Sequence, residues 1–311
     1  MPYALKHLFH STNWVPDLEE STEFFRRVFG RRSTIIGEYL GGRPGPVVSG
    51  YPRDYATFTP IAEVQFECAN PALMVFDGIQ HHKSVSRPHL GGLAWFVDGI
   101  EDLWSELRQR NIGGMDQRNR IIEGDGPPLD VSANPIIFTL PDDTGLMYEF
   151  CVYSPRLDPR GDPPVAALSP SDPLGIECCS HHTVLTDWPE RAERLLVDVL
   201  GGQITHQGRN EVLEAESTYI ALAVGVLELA RPTEEASPAM ATWRKRAPRD
   251  TYYSLTWKVR DLDRVGNHLK AAGVGLQARS DTALVIDPAD GLGVAWGFTC
   301  VLSPGDPRAG Q

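Results

Sequence analysis

The chain has 311 residues, 41% of them hydrophobic and 23% charged, the proportions of a globular protein and not of a disordered or fibrous one. Twenty-nine basic against 41 acidic side chains give a formal charge of −12, and without a Lys/Arg-rich stripe a nucleic-acid partner is not expected. No apolar run reaches the roughly 18 residues that cross a bilayer, and the opening MPYALKHLFHSTNW lacks the apolar stretch of a signal peptide, so no membrane partner is expected and the expected location is the cytoplasm.

In chain order, HLFHSTNWV reads as a strand leading into Asp17, after which Leu18, Phe24, Phe25, Val28 and Phe29 recur at helical spacing until Gly30. STIIGEY, AEVQFECA and ALMVFDGI follow as strands, rich in β-branched and aromatic residues. An insert from Gly41 to Pro60, with Tyr51, Tyr55 and Phe58, is long for a connection inside a domain and reads as a lid or pocket wall. The run GGLAWFVDGIEDLWSELRQRNIGG gives a strand, then a helix with Leu103, Trp104 and Leu107 on one face. Strands around Ile121, over Ile136–Leu140 and over Leu146–Val152 complete this half.

The stretch 154–175 holds six prolines in 22 residues, which suits neither helix nor central strand, and reads as a linker. Beyond it the order recurs: HHTVLT, the helix WPERAERLLVDVLGG, STYIALAV, VLELARP, YSLTWKV, the helix DLDRVGNHLKAAGV, TALVIDPADG and GVAWGFT. His10 to Gly30 and His181 to Gly201 are both 20 positions, so a βαβββ unit occurs four times. The expected division is 1–153 (units about 1–85 and 86–153), the linker, 176–303 (units about 176–248 and 249–303) and a tail, 304–311. The five cysteines, Cys68, Cys151, Cys178, Cys179 and Cys300, have no metal-finger spacing and read as reduced thiols. No GxSxG elbow, HExxH helix, GxGxxG or phosphate-loop pattern stands in its required context.

His10 followed by VPDLEESTEFFRRVFG, DDTGLMYEF with Glu149, His181 with its helix to VLGG, and VLELARP with Glu228, in this order, resemble the vicinal oxygen chelate superfamily. That superfamily takes in glyoxalase, methylmalonyl-CoA epimerase, extradiol dioxygenases and bleomycin-resistance proteins. The resemblance implies an α+β fold: four βαβββ modules forming two glyoxalase/extradiol-dioxygenase-like domains with cupped mixed sheets.

It also implies a divalent metal, Fe(II) first, with Mn(II), Zn(II) or Ni(II) as alternatives. The ligand positions it carries over are His10, Glu149, His181 and Glu228. Glu149 and Glu228 sit in apolar runs where an unpartnered carboxylate is costly. His182 points away from His181 by strand alternation and is the alternative to it at that position; His89, in the loop QHHKSVSRPHLGG, is a stand-in for the ligand absent at Gly92 or, with His182, a candidate acid–base histidine.

Where extradiol dioxygenases carry a second histidine the sequence has Gly92 and Ser254. Ala295 replaces the final glutamate of unit four, and Met74 or a near neighbour stands where Glu228 stands in unit three. Units one and two can pair, leaving His10 with Glu149, and three with four, leaving His181 with Glu228. Pairing two with three would gather Glu149, His181 and Glu228, and ligand count favours it.

The leading functional expectation is an extradiol-dioxygenase-like oxidoreductase acting on an aromatic or polyketide-like small molecule with vicinal oxygens. The alternatives are a glyoxalase- or epimerase-like lyase or isomerase, and a metal-free binding protein. A homodimer is compatible with each.

Overall fold

A computed structural model describes residues 2–41 (backbone alone at 40 and 41), 54–76, 78–129, 134–153, 158, 160, 161, 163–169, 171–223 and 225–309. Two compact units divide the chain: Met1–Asp143 with Met147–Ala167, and Thr144–Leu146 with Leu168–Gln311.

In the first unit, module one contains β1 (Ala4–Trp14), α1 (Leu18–Phe24) with a π-helical turn (Phe25–Phe29), β2 (Thr34–Ile35), α2 (Ile36–Gly41), β3 (Ala56–Ile61) and β4 (Val64–Ala69). A small hairpin, β5 (Val75–Phe76) and β6 (Ile79–Gln80), leads to module two: β7 (His89–Asp98), α3 (Ile100–Gln109), β8 (Gly114–Met115), β9 (Ile136–Thr139), α4 (Pro141–Thr144) and β10 (Met147–Val152). Eight strands form one sheet in the order β2-β3-β4-β1-β7-β10-β9-β8. β1 runs antiparallel to β7, whereas β1 with β4 and β7 with β10 are parallel. The first strands of both modules therefore adjoin at the centre, where most residues of each are buried.

The second unit repeats this with β11 (Ile176–Leu185), α5 (Pro189–Glu193) with a π-helical turn (Arg194–Val199), β12 (Gln203–Asn210), β13 (Ala215–Leu222) and β14 (Gly225–Pro232). Then come α6 (Pro238–Arg244), β15 (Thr251–Val259), α7 (Leu262–Ala271), β16 (Leu276–Arg279), β17 (Ala283–Ile286) and β18 (Gly297–Thr299). The sheet order is β12-β13-β14-β11-β15-β18-β17-β16. The α+β class and the four modules are as expected. Modules pair one with two and three with four, which corrects the pairing that ligand counting favoured.

Local chemistry explains the helices. Asp17 accepts from the amides of Glu19 and Glu20 at the start of α1, and Asp261 accepts from Arg264 at the start of α7. Gly30 and Gly201 follow the π-helical turns at φ 61° and 75°, values open to glycine without strain.

Several expected strands differ. STIIGEY turns helical after Ile35, because Ile36 and Tyr39, three apart, both pack on the cluster holding Phe58, Tyr55 and Phe76. ALMVFDGI becomes a 3-10 turn and the β5–β6 hairpin, outside the main sheet. Ile121 makes only an isolated bridge. Part of the supposed lid, with Phe58, is strand β3; residues 42–53 of it, with Tyr51, lie outside the described residues. The polar strands β12 and β16 carried no expected signal.

Candidate functional site

In the first sheet, Glu67 of β4, His10 and Thr12 of β1, Ala94 of β7 and Glu149 of β10 share one face, since Thr12 pairs with Glu67, and Ala94 with both His10 and Glu149. Thr12 donates its hydroxyl hydrogen to Glu67 Oε2 at 2.8 Å, and its oxygen lies 3.1 Å from His10 Nδ1. Glu67 Oε2 is 3.5 Å from the same nitrogen, and Glu149 Oε2 is 3.9 Å from Nε2 on the other side of the ring. The small side chain of Ala94 leaves the space through which Glu149, two strands away, reaches His10. Phe58 closes the site on another side, its ring centroid 5.8 Å from that of His10.

Burial governs the charges. Desolvation lowers His10 to about 3, with the positive charge of Arg160 adding to it against Asp158, so the ring is neutral. Desolvation also raises Glu67 to about 7, against the hydrogen bond from Thr12, so this carboxyl exchanges its proton near neutrality.

The second sheet carries a matching cluster, His181 and Thr183 on β11 and Glu228 on β14, with Thr183 paired to Glu228. Its chemistry is different. Glu228, fully buried, accepts from Thr183 (2.7 Å), Ser217 (2.6 Å), Tyr219 (2.9 Å) and Asn210 (2.7 Å), with His181 Nε2 at 3.5 Å. Burial lowers His181 and raises Tyr219. At the register position of Ala94 stands Thr256, and at that of Glu149 stands Gly297. A Cβ on Gly297 would lie 2.4 Å from Thr256 Oγ1. The large and small residues are exchanged, and no carboxylate enters.

Of the residues expected from sequence, His10 meets Glu149 and His181 meets Glu228, in separate sheets. His182 lies on the opposite face of β11, its Nδ1 2.6 Å from the Tyr252 hydroxyl and its Nε2 3.6 Å from Cys179 Sγ. His89 starts β7 opposite Trp14, five residues or about 16 Å along the strand from Ala94, and its Nδ1 lies 3.1 Å from the Arg87 carbonyl. Neither joins the cluster.

The sequence reading missed Glu67. Counting ALMVFDGI as the last strand of module one put Met74 at the place of Glu228; with β3 recognised, β4 is the last strand. QFECA then shows the same isolated glutamate in an apolar strand as VLELA. Gly92, where the expected second histidine is missing, leaves no space for a side chain: a Cβ there would stand 2.6 Å from the Met147 carbonyl.

Whether these residues suit the expected metal turns on convergence. Glu67 and Glu149 flank opposite nitrogens of His10, and among the described residues no three His, Cys, Asp or Glu side chains gather as a ligand set. In this arrangement neither cluster fits a divalent cation.

No family model and no curated protein matches the sequence. Among solved structures, a Mn(II)-bound glyoxalase from Novosphingobium aromaticivorans aligns over 96% of this chain and 82% of its own, at 10% identity and a TM-score of 0.56. A methylmalonyl-CoA epimerase from Mycobacterium tuberculosis aligns over 44% of this chain and 93% of its own, with 22% identity and a TM-score of 0.38. The likeness over nearly the whole chain fixes the fold: the chain has the fold of that glyoxalase, as four βαβββ modules in two sheets.

Proposed function

We propose that the chain is a proton-transfer enzyme of the lyase or isomerase kind, working at the first sheet on a small oxygen-rich carbonyl compound. The observation that carries this is the hydrogen-bonded line from Glu67 through Thr12 to His10, with contacts of 2.8 and 3.1 Å. With Glu67 ionised, Thr12 donates to it and Nδ1 carries the ring hydrogen. With Glu67 protonated the line reverses: Glu67 donates to Thr12, Thr12 to Nδ1, and the hydrogen sits on Nε2.

A proton leaving Nε2 for a substrate is therefore replaced at Nδ1 from Glu67, and the ring stays neutral throughout. A buried carboxyl near pH 7 thus serves a reacting atom that it does not touch. Glu149, on the Nε2 side, is placed to bind or relay that proton.

A dioxygenase built on two histidines and a carboxylate finds less support, because one histidine faces this cluster and Gly92 has no room for a second. The test is solvent-deuterium incorporation next to the carbonyl across a panel of 2-oxo acids, 2-hydroxyketones and acyl thioesters, with and without Mn(II). Thr12→Val should slow exchange by ~10²–10⁴-fold, the usual worth of a positioned acid–base group, while Thr12→Ser retains it. Oxygen uptake by the wild type, or exchange indifferent to Thr12→Val, would overturn the reading.

A further inference from the structure

A tripeptide recurs where the sequence had suggested only linker and tail: Asp158-Pro159-Arg160 and Asp306-Pro307-Arg308. Asp158 and Asp306 are buried. Each grips its own arginine, Asp158 Oδ2 at 2.6 Å from Arg160 Nη2 and Asp306 Oδ2 at 2.6 Å from Arg308 Nη2.

The guanidinium of Arg160 donates from Nη2 to the carbonyls of Phe9 (2.7 Å) and Leu8 (3.1 Å), and from Nη1 to that of Glu63 (2.7 Å). Arg308 donates from Nη2 to the carbonyl of Ser180 (3.1 Å). Phe9 and Ser180 are equivalent. On β1, Leu8 pairs with Trp95 and His10 with Ala94, so Phe9 is a bulge; on β11, Cys179 pairs with Trp257 and His181 with Thr256, so Ser180 is a bulge.

A bulge removes one residue from the ladder and shifts every later side chain to the other face. Without it, Phe9 would stand opposite Ala94 in the place of His10, Ser11 would take the place of Thr12 beside Glu67, and His10 would turn to the far side. The carbonyl of the bulged residue, out of the ladder and inside the protein, needs a donor.

We propose that Arg160, anchored by Asp158, is the positioning residue of the first sheet's site. It holds the bulge at Phe9 that turns His10 toward Glu67 and Glu149, and through Glu63 it ties β1 to the start of β4, the strand that carries Glu67. Arg308 does the same for His181. Asp158 also meets His7 Nε2 at 3.2 Å, which fixes the clasp to the same strand two residues before the bulge. The consequence for reactivity rests on the proton route proposed through His10, but the clasp is read from the contacts of Arg160 and Asp158 themselves, so the two can fail separately.

The experiment follows the ring itself. In protein labelled with ¹³C,¹⁵N-histidine, the His10 and His181 imidazole signals are assigned by His10→Gln and His181→Gln. Arg160→Ala should displace the His10 signals and leave those of His181 in place; Arg308→Ala should do the reverse. Arg160→Lys, which can hold one carbonyl but not three, should fold and displace the His10 signals less. If Arg160→Ala does not fold, Arg160→Lys and Asp158→Asn, which loosens the anchor but keeps the guanidinium, carry the test. Unmoved His10 signals in every folded variant of this clasp would overturn the proposal. Deuterium exchange lost in Thr12→Val but unchanged by a displaced His10 ring would instead sink the proton route and leave the clasp standing.

Discussion

Glu67 and His10 carry opposite pH signatures, and their separation is measurable. Glu67, raised from 4.5 to about 7 in the fold, contributes stability that is full below 4.5 and is lost as pH rises through 7. His10, lowered from 6.5 to about 3, works the other way: its contribution is full above 6.5 and is lost as pH falls toward 3. Between about 4.5 and 6.5 the two slopes oppose each other. Urea midpoints of Glu67→Gln against wild type should therefore diverge, the variant gaining relative stability as pH rises from 4.5 to 7, and His10→Gln should show the opposite trend. Parallel curves for wild type and Glu67→Gln would mean that the carboxyl titrates in its ordinary range and cannot supply the relay.

Strand packing decides where side chains can stand, and Gly92 is the sharpest case. β10 approaches so closely that a Cβ at 92 meets the Met147 carbonyl, a backbone atom that cannot swing aside. Gly92→Ala should cost ~1–3 kcal/mol, as overpacking of a filled core does, and Gly92→His should lower stability at least as much without adding a ligand. Thermal melts check the first and cobalt or manganese titration the second; a stable Gly92→His that binds either ion stoichiometrically would show that the strand can yield. The same element-scale logic explains the mistaken reading of module one. ATFTPI, read as part of a lid, is β3, and Phe58 in it lies across from Glu67. One misplaced strand shifted the candidate glutamate from Glu67 to Met74, because each position in a module is counted from its neighbours.

At the scale of the molecule, one architecture holds two clusters with different chemistry. In the second, four donors surround Glu228 and Thr256 covers Gly297, so the cluster is held rigidly. Glu228→Gln places an amide hydrogen where Thr183, Ser217 or Tyr219 donates, and should lower stability by ~1–3 kcal/mol, the usual cost of a buried group left unmatched, while exchange at the first sheet stays unchanged. His10→Ala should abolish that exchange and His181→Ala should spare it. Equal loss in both would place the reaction elsewhere.

The sequence by itself determined the module and its fourfold repeat, because helix caps, glycine stops and strand composition are local properties that neighbouring residues enforce. Resemblance to a known superfamily picked out His10 and His181 at matching positions, and Glu149 and Glu228 stood out further as carboxylates in apolar runs where burial without a partner is expensive. Pairing of modules, by contrast, is a matter of which central strands share hydrogen bonds, and the tertiary structure alone joined β1 to β7 and β11 to β15. The Glu67–Thr12–His10 line likewise joins residues 55 positions apart in the chain, and the Arg160 clasp reaches back 151 positions to Phe9. Such contacts leave no periodic trace, since a single charged residue in a proline-rich stretch looks the same whether it faces water or seats a buried carbonyl.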